Sequence, residues 1–370
     1  MSSTLATAVA PLRYSPSYEH AEPDEAQTLA DINEQMHKIQ EKTYADGGKA
    51  LRSVHAKSHG LLVGELRIPA GLAPALAQGI FARPGMLPVV MRLSTTPGDI
   101  LPDDVSTPRA MAIKIIGVDG ERLPGTEGAV TQDFVMVNGP AFNKPNAKSF
   151  AGSLKLLAAT TDKAEGSKQV LSAALRGLES IVEAVGGKSA TLTALGGHPE
   201  TNPLGETYYS QVPVLFGDYF GKICVRPVSP ELKALYKEPV ELKHRPDGLR
   251  EAVAAYFEEQ GGEWELCVQL CTDIGKMPVE DASVVWDEKL SPYQPVARIV
   301  MGAQASWSDA RSQSIDEGLA FNPWHGVAAH RPLGGVMRVR KGAYEAAQRF
   351  RAAKNQVTLS EPKAIGDIGL

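Results

Sequence analysis

The sequence predicts an α+β fold, an antiparallel β-barrel with helical insertions. Three observations carry that expectation. Short β-branched runs separated by Gly, Pro and Asp turns recur between residues 61 and 138, the pattern of strands joined by tight connections. Hydrophobic spacing then switches to three and four between residues 148 and 187, which is the period of a helix. Strand character returns from residue 219 onward, so the helices read as insertions between strands of a barrel.

Residues 1–24 are rich in Ser, Pro, Ala and Tyr without periodicity and read as an extended or disordered arm of the kind that packs on a neighbour. From Asp24 to Tyr44, the residues Leu29, Ile32, Met36 and Ile39 recur at helical spacing, and Gly47-Gly48 ends the run. One amphipathic helix is expected there. The chain thus divides into an N-terminal arm and helix, residues 1–45, and a barrel domain, residues 46–370.

Strands are expected at 61–68, 88–95, 110–117 and 132–138, and the nearly continuous apolar run 113–118 reads as a central strand covered on both faces. A helical pair follows, marked first by Phe150, Leu154 and Leu157 and then by Val170, Leu171, Ala174, Leu178, Ile181 and Val185, with Gly186-Gly187 as its stop. The stretch 202–214 is polar and punctuated by proline and reads as a connection. Strands at 219–227 and 263–272 flank a short helix at 249–259, another strand is expected at 296–301, and Gly334-Gly335 opens a last helix. Other glycine pairs, such as Gly196-Gly197, lack any phosphate-loop or dinucleotide pattern and read as turns.

Composition limits the partners. Charged residues make up 22% and hydrophobic residues 43% of 370, with no apolar run of membrane-spanning length. A net charge of −5 without a Lys/Arg block excludes nucleic acid and membrane surfaces as the expected partners. Three cysteines, Cys224, Cys267 and Cys271, give no paired framework, and the N-terminus has no basic start followed by a long apolar core. A reducing, cytoplasmic setting is expected. Cys267 and Cys271 lie four apart in a strand-like run and read as a buried thiol pair rather than a metal site.

The stretch Arg340 to Arg351 concentrates candidate chemistry. If it is helical, Arg340, Tyr344, Gln348 and Arg351 share one stripe, and a phenol flanked by guanidiniums is pushed toward phenolate. Phenolate is a hard anionic ligand suited to ferric iron, and tyrosine is a known axial ligand of haem. Taken alone, the stretch is explained more simply by an amphipathic helix with solvated arginines.

Two further stretches tip that balance. Arg52-Ser-Val54-His55-Ala-Lys57 and Val-Val-Met-Arg92-Leu-Ser94-Thr95 resemble the distal side of a haem catalase. The Arg340-x-x-x-Tyr344 spacing, followed by Arg349 and Arg351, is similar to the catalases' proximal helix. The runs 280–286 and 320–323 also resemble catalase sequence. The resemblance runs from Arg52 to Arg351 with a weak middle, and is to the short, single-domain, peroxidase-related branch of that superfamily. The larger catalases carry a further helical domain where only 26 residues follow Tyr344 here.

The resemblance implies haem b held between the barrel and the C-terminal helix. Tyr344 is its iron ligand and Arg340 the partner of the phenolate. His55 is the distal acid/base and Ser94 the group that fixes its tautomer. Arg52, Arg109 and Arg351 are the implied partners of the haem propionates. Arginine suits that task because a guanidinium pairs a carboxylate bidentately. Peroxide cleavage needs a proton taken from one oxygen and returned to the other, and an imidazole with a pKa of about 6.5 does both near neutrality. Other histidines, among them His20, His37, His59, His198, His244, His325 and His330, read as surface or satisfied core residues.

The chain departs from the pattern where catalases place a distal asparagine. Thr131 stands there with Gln132 beside it, which shifts weight from dismutation toward peroxidase action with a small-molecule electron donor, on hydrogen peroxide or organic hydroperoxides. Two alternatives stand beside this reading. One is hydroperoxide rearrangement like that of allene oxide synthases, disfavoured by Val54 where those enzymes tend to carry threonine. The other is a haem-binding barrel without turnover. A homo-oligomer is compatible with the sequence. The nicotinamide site of some catalases does not carry over.

Overall fold

Alternation and turn chemistry give nine strands among the described residues of the computed structural model, which are residues 9–160 and 198–370. The expected second helix at 170–185, its glycine stop and Gly196-Gly197 lie outside them. The strands are β1 Lys57–Ile68, β2 Gly85–Thr95, β3 Arg109–Ile116, β4 Thr131–Val137, β5 Tyr208–Tyr209, β6 Val214–Phe216, β7 Tyr219–Pro227, β8 Gly262–Leu270 and β9 Gln294–Met301.

Their order is β5-β4-β3-β2-β1-β9-β8-β7-β6, and an added β5–β7 pairing closes the ring. All neighbours run antiparallel. Eight strands therefore form a closed barrel, with β6 appended to β7, and closure removes the open edge that a sheet would otherwise expose. The stretch 202–214, expected as plain connection, contains β5 and the start of β6. Strands of two and three residues are too short to display alternation, yet β5 is the element that shuts the ring.

The barrel interior is packed with side chains. Leu62, Leu66, Met91, Ile113, Phe134, Phe216, Trp264 and Ile299 belong to one cluster, each at most 3% exposed. Burial of each such side chain contributes roughly 1.5–3 kcal/mol. The alternate residues Leu61, Val90, Ala112 and Ile116 face outward, where Ile315, Leu319, Phe321 and Ile368 cover them. β3 is buried along its whole length, as its continuous apolar run predicts.

Five α-helices of five or more residues accompany the barrel among the described residues: α1 Glu25–Gly47, α2 Ala147–Thr160, α3 Pro230–Ala234, α4 Gly248–Glu259 and α5 Gly335–Asn355. α1 ends where Gly48 takes φ 68, so that its N–H reaches Tyr44 O at 2.8 Å. Ile32, Ala151, Leu154, Val339 and Ala343 form the contact among α1, α2 and α5. Gly342 permits the close approach, because a Cβ there would lie 2.7 Å from Leu29 Cδ2.

The arm lies along its own chain. Leu12 N donates to Cys271 O at 2.8 Å, Tyr14 N to Asp218 O at 2.9 Å, and Tyr14 and Tyr18 pack against Phe220. The cysteines also differ from expectation. Cys267 faces Cys224 across the β7–β8 pair, whereas Cys271 belongs to the cluster under the arm. All three are buried and free.

Candidate functional site

α5 presents the phenol as its spacing predicts. Arg340 Nη2 donates to Tyr344 Oη at 2.8 Å, one helical turn away, and the guanidinium carbon sits 5.3 Å from the ring centroid. The far end of the same helix carries Arg351, 4% exposed, which donates to the carbonyls of Asp316, Glu317 and Leu319. Arg349 points to solvent and lies 3.9 Å from Glu345.

Arg52 reaches the same carbonyls from the loop before β1. Its Nη2 donates to Asp316 O at 2.8 Å and to Leu319 O at 3.3 Å. Arg92 on β2 arrives from a third direction. Its Nε bonds the Asp316 carboxylate, while Nη2 donates to the carbonyls of His55 at 2.9 Å and Ala56 at 3.1 Å. Asp316 lies in a π-helical turn, Ser312–Glu317, and also accepts from Ser58 Oγ. Three guanidiniums therefore meet around the 316–319 turn, where Asp316 provides one carboxylate, bonded by Arg92 and 4.0 Å from Arg52 Nη2. Burial and the mutual repulsion of Arg351 and Arg92 push the Arg52 guanidinium well below its usual range. Burial and Arg92 bring Arg351 down to about 10. Such a set favours additional negative charge.

Arg109 does not join this group. It begins β3 opposite Thr95, and its guanidinium turns to the 199–206 connection, where Glu206, Thr201 Oγ1 at 3.0 Å and Pro199 O at 2.8 Å receive it. Arg92 stands in its stead. Both residues are visible in the sequence, but only the direction of each side chain and the partner covering it separate them.

His55 takes φ 54 in the loop that Arg92 pins by two carbonyls. Burial first, then the charges of Arg92 and Arg340, hold its imidazole at about 3. The expectation of a group poised near neutrality is thus corrected: His55 is neutral throughout the ordinary pH range. The same interactions tie the site together, since Arg340 acts on His55 and Tyr344 acts on Arg52. His55 Nδ1 is buried without a hydrogen-bond partner, so Ser94, itself buried on β2, does not reach it. Thr131 and Gln132 are engaged elsewhere. Thr131 donates to Glu361 at 2.6 Å, and Gln132 donates to Asp133 O at 3.1 Å and accepts from Val327 N at 3.0 Å.

The remaining buried histidines have structural partners. His59 lies within β1 with Nε2 2.9 Å from Thr95 Oγ1. His198 meets Asn138, and His330 accepts from Ile80 N at 3.1 Å inside the barrel. Burial and Arg109 lower His198 to about 4, and burial lowers His330 to about 4.

These shifts predict a pH dependence of stability. A histidine depressed in the folded chain binds fewer protons than in the unfolded chain between its folded value and about 6.5, so stability falls as pH drops through that window. His55, His198 and His330 act together there. The opposing case is His325, which stays cationic up to about 9 and whose contribution is lost as pH rises through that value. Denaturant unfolding is expected to give maximal stability near about pH 6.5, a decline above it as the His325 contribution is lost, and a loss of several kcal/mol by about pH 4.5. A flat profile from pH 7 to 5 would show that these imidazoles protonate freely.

Among the described residues no group of three or more His, Cys, Asp or Glu side chains is arranged to hold a metal ion. No described helix is long and apolar enough to cross a membrane. No family model matches the chain, and no curated protein matches its sequence. Solved structures do match. A fungal catalase superposes with TM-score 0.58 at 17% identity over 84% of this chain and 61% of its own. Catalase A from Saccharomyces cerevisiae gives 0.57 at 17% over 83% and 62%. A bacterial catalase gives 0.55 at 15% over 85% and 60%. The chain thus has a catalase-like fold while spanning only 60–62% of the length of those proteins.

Proposed function

We propose that the chain binds haem b through Tyr344 and is a catalase-related peroxidase that cleaves hydrogen peroxide or organic hydroperoxides with a small-molecule electron donor. The observation that carries this reading is the convergence of Arg52, Arg92 and Arg351 on Asp316, the first and last through its backbone carbonyl and Arg92 through its carboxylate, within electrostatic reach of Tyr344 and His55.

The donor set fits the group. Arg340 donates to, and so orients, the phenol oxygen that would meet iron. The three arginines supply the positive charge that two propionates require, with Arg92 taking the place first given to Arg109. His55 supplies a buried, unpartnered nitrogen. When bound, haem would supply the redox equivalents for breaking the O–O bond, which no side chain of this set provides.

The chain's own part is proton handling and exclusion of water. A neutral His55 imidazole, with its buried Nδ1 free of any partner, can accept a proton from one peroxide oxygen and return it to the departing oxygen. Arg92 holds the loop in register by the His55 and Ala56 carbonyls. Two independent tethers, Arg351 and Arg52, fix the 316–319 turn beneath it. Thr131 and Gln132, which stand where catalases place the distal asparagine, are both bonded elsewhere, which supports donor oxidation over dismutation.

Tyr344→Phe tests the reading. Expressed with ample haem, the native chain is expected to carry a Soret band and about one haem per chain. The phenylalanine variant should lose most of it while keeping the unfolding temperature of the haem-free native chain, because only one hydroxyl is removed. An unchanged Soret band and occupancy in the variant would remove Tyr344 as the ligand.

A further inference from the structure

The outer face of β3 and β4 holds a second buried charge cluster, which the proposed haem chemistry does not use. Lys114 Nζ, fully buried, bonds Asp133 Oδ1 and Oδ2 at 2.7 and 2.8 Å and Glu361 Oε2 at 2.6 Å. The same Oε2 accepts from Thr131 Oγ1 at 2.6 Å, and Oε1 lies 3.0 Å from His325 Nδ1. An ammonium, a hydroxyl and an imidazole from three separate elements thus converge on one carboxylate. That carboxylate alone comes from the segment after α5, residues 356–370.

The seat is strongly cationic. Burial opposes a charged His325, but Asp133 and Glu361 outweigh it and raise the imidazole to about 9. Burial likewise disfavours the Glu361 carboxylate, yet His325 and Lys114 hold it at about 2. Arg122 stands beside the seat, with Nη2 donating to Thr131 O at 2.6 Å and both Nε and Nη1 buried without partners. Without Glu361, three cations would face the single carboxylate of Asp133.

The segment that delivers Glu361 is lightly held. Among the described residues, Ile365 and Ile368 pack on the outer-face cluster and Ser314 Oγ reaches Gly369 O at 3.5 Å. The other bonds of residues 358–370 belong to Glu361 or lie within the turn at 363–369. The seat is therefore built from the barrel wall, while its occupant comes from a segment with few other polar ties.

We propose that the hole lined by Lys114, Thr131, His325 and Arg122 is a receptor for a small carboxylate ligand, filled in cis by Glu361 and taken by an outside carboxylate when residues 356–370 lift. The Phe321 ring lies 5.7 Å from Lys114 Nζ and 5.9 Å from the Arg52 guanidinium. A ligand in the receptor would thus sit one ring away from the three-arginine cluster. The receptor itself is independent of haem. A tethered side chain competes at an effective concentration of roughly millimolar, so a freely added carboxylate at roughly tens of millimolar is able to displace it.

Acetate against chloride at equal ionic strength is the test. Glu361→Gln keeps the shape and removes the charge, and Glu361→Ala empties the seat if the first variant folds poorly. Acetate is expected to raise the unfolding temperature of either variant by about 2–4 °C over chloride. In the native chain, acetate should speed trypsin cleavage after Lys363 about threefold over chloride, as the segment is displaced. Equal effects of the two anions on the variants overturn the receptor, and cleavage set by ionic strength alone overturns displacement.

Discussion

His55→Ala is expected to leave the haem-loaded protein with its Soret band intact and to slow peroxide cleavage by about 10²–10⁴, the usual worth of a positioned general acid–base. The separation between binding and rate is favoured by the local structure. Arg92 grips the backbone carbonyls of His55 and Ala56, not the imidazole, so the loop keeps its two tethers in the variant. The imidazole makes no side-chain bond through Nδ1, and its loss orphans no partner there. Removing a buried, proton-poor histidine should also shrink the acid-side loss of stability, in a measurement that needs no haem. Stopped-flow rates within a factor of about three of the native chain would sink the assignment.

Lys114→Met is expected to destabilise the fold by about 3–5 kcal/mol, the cost of stripping one partner from a buried ion pair. Lys114 is fully buried, and its ammonium is shared by Asp133 and Glu361. Methionine matches the stem but abandons both carboxylates, leaving His325 and Arg122 as the cationic groups beside them. Replacing Lys114 and Asp133 together by apolar residues should recover part of the loss, since an unpaired charge costs more than a missing pair. Urea denaturation of the single and double variants gives the comparison. A single-variant loss under about 1 kcal/mol would mean that water reaches the cluster.

Part of the fold was legible for simple reasons. β1, β2, β3 and β4 have six or more residues each, long enough for alternation or a continuous apolar run to be read, and glycine punctuated α1 at Gly48. The Arg340–Tyr344 bond follows directly from one helical turn. Cys224 and Cys267 could not be paired from sequence, because cross-strand neighbours carry no fixed separation along the chain.

By itself the sequence determined the type and most of the extent of the long elements, and placed the phenol and its arginine on one helix face, because both are set by spacing within about ten residues. Only the tertiary structure decided that Arg92 rather than Arg109 meets Arg52 and Arg351, that β5 closes the barrel, and that Glu361 meets Lys114 from 247 residues away. Such pairings depend on which face of one element comes to lie against another. That is fixed by global packing, and no local pattern of residues encodes it.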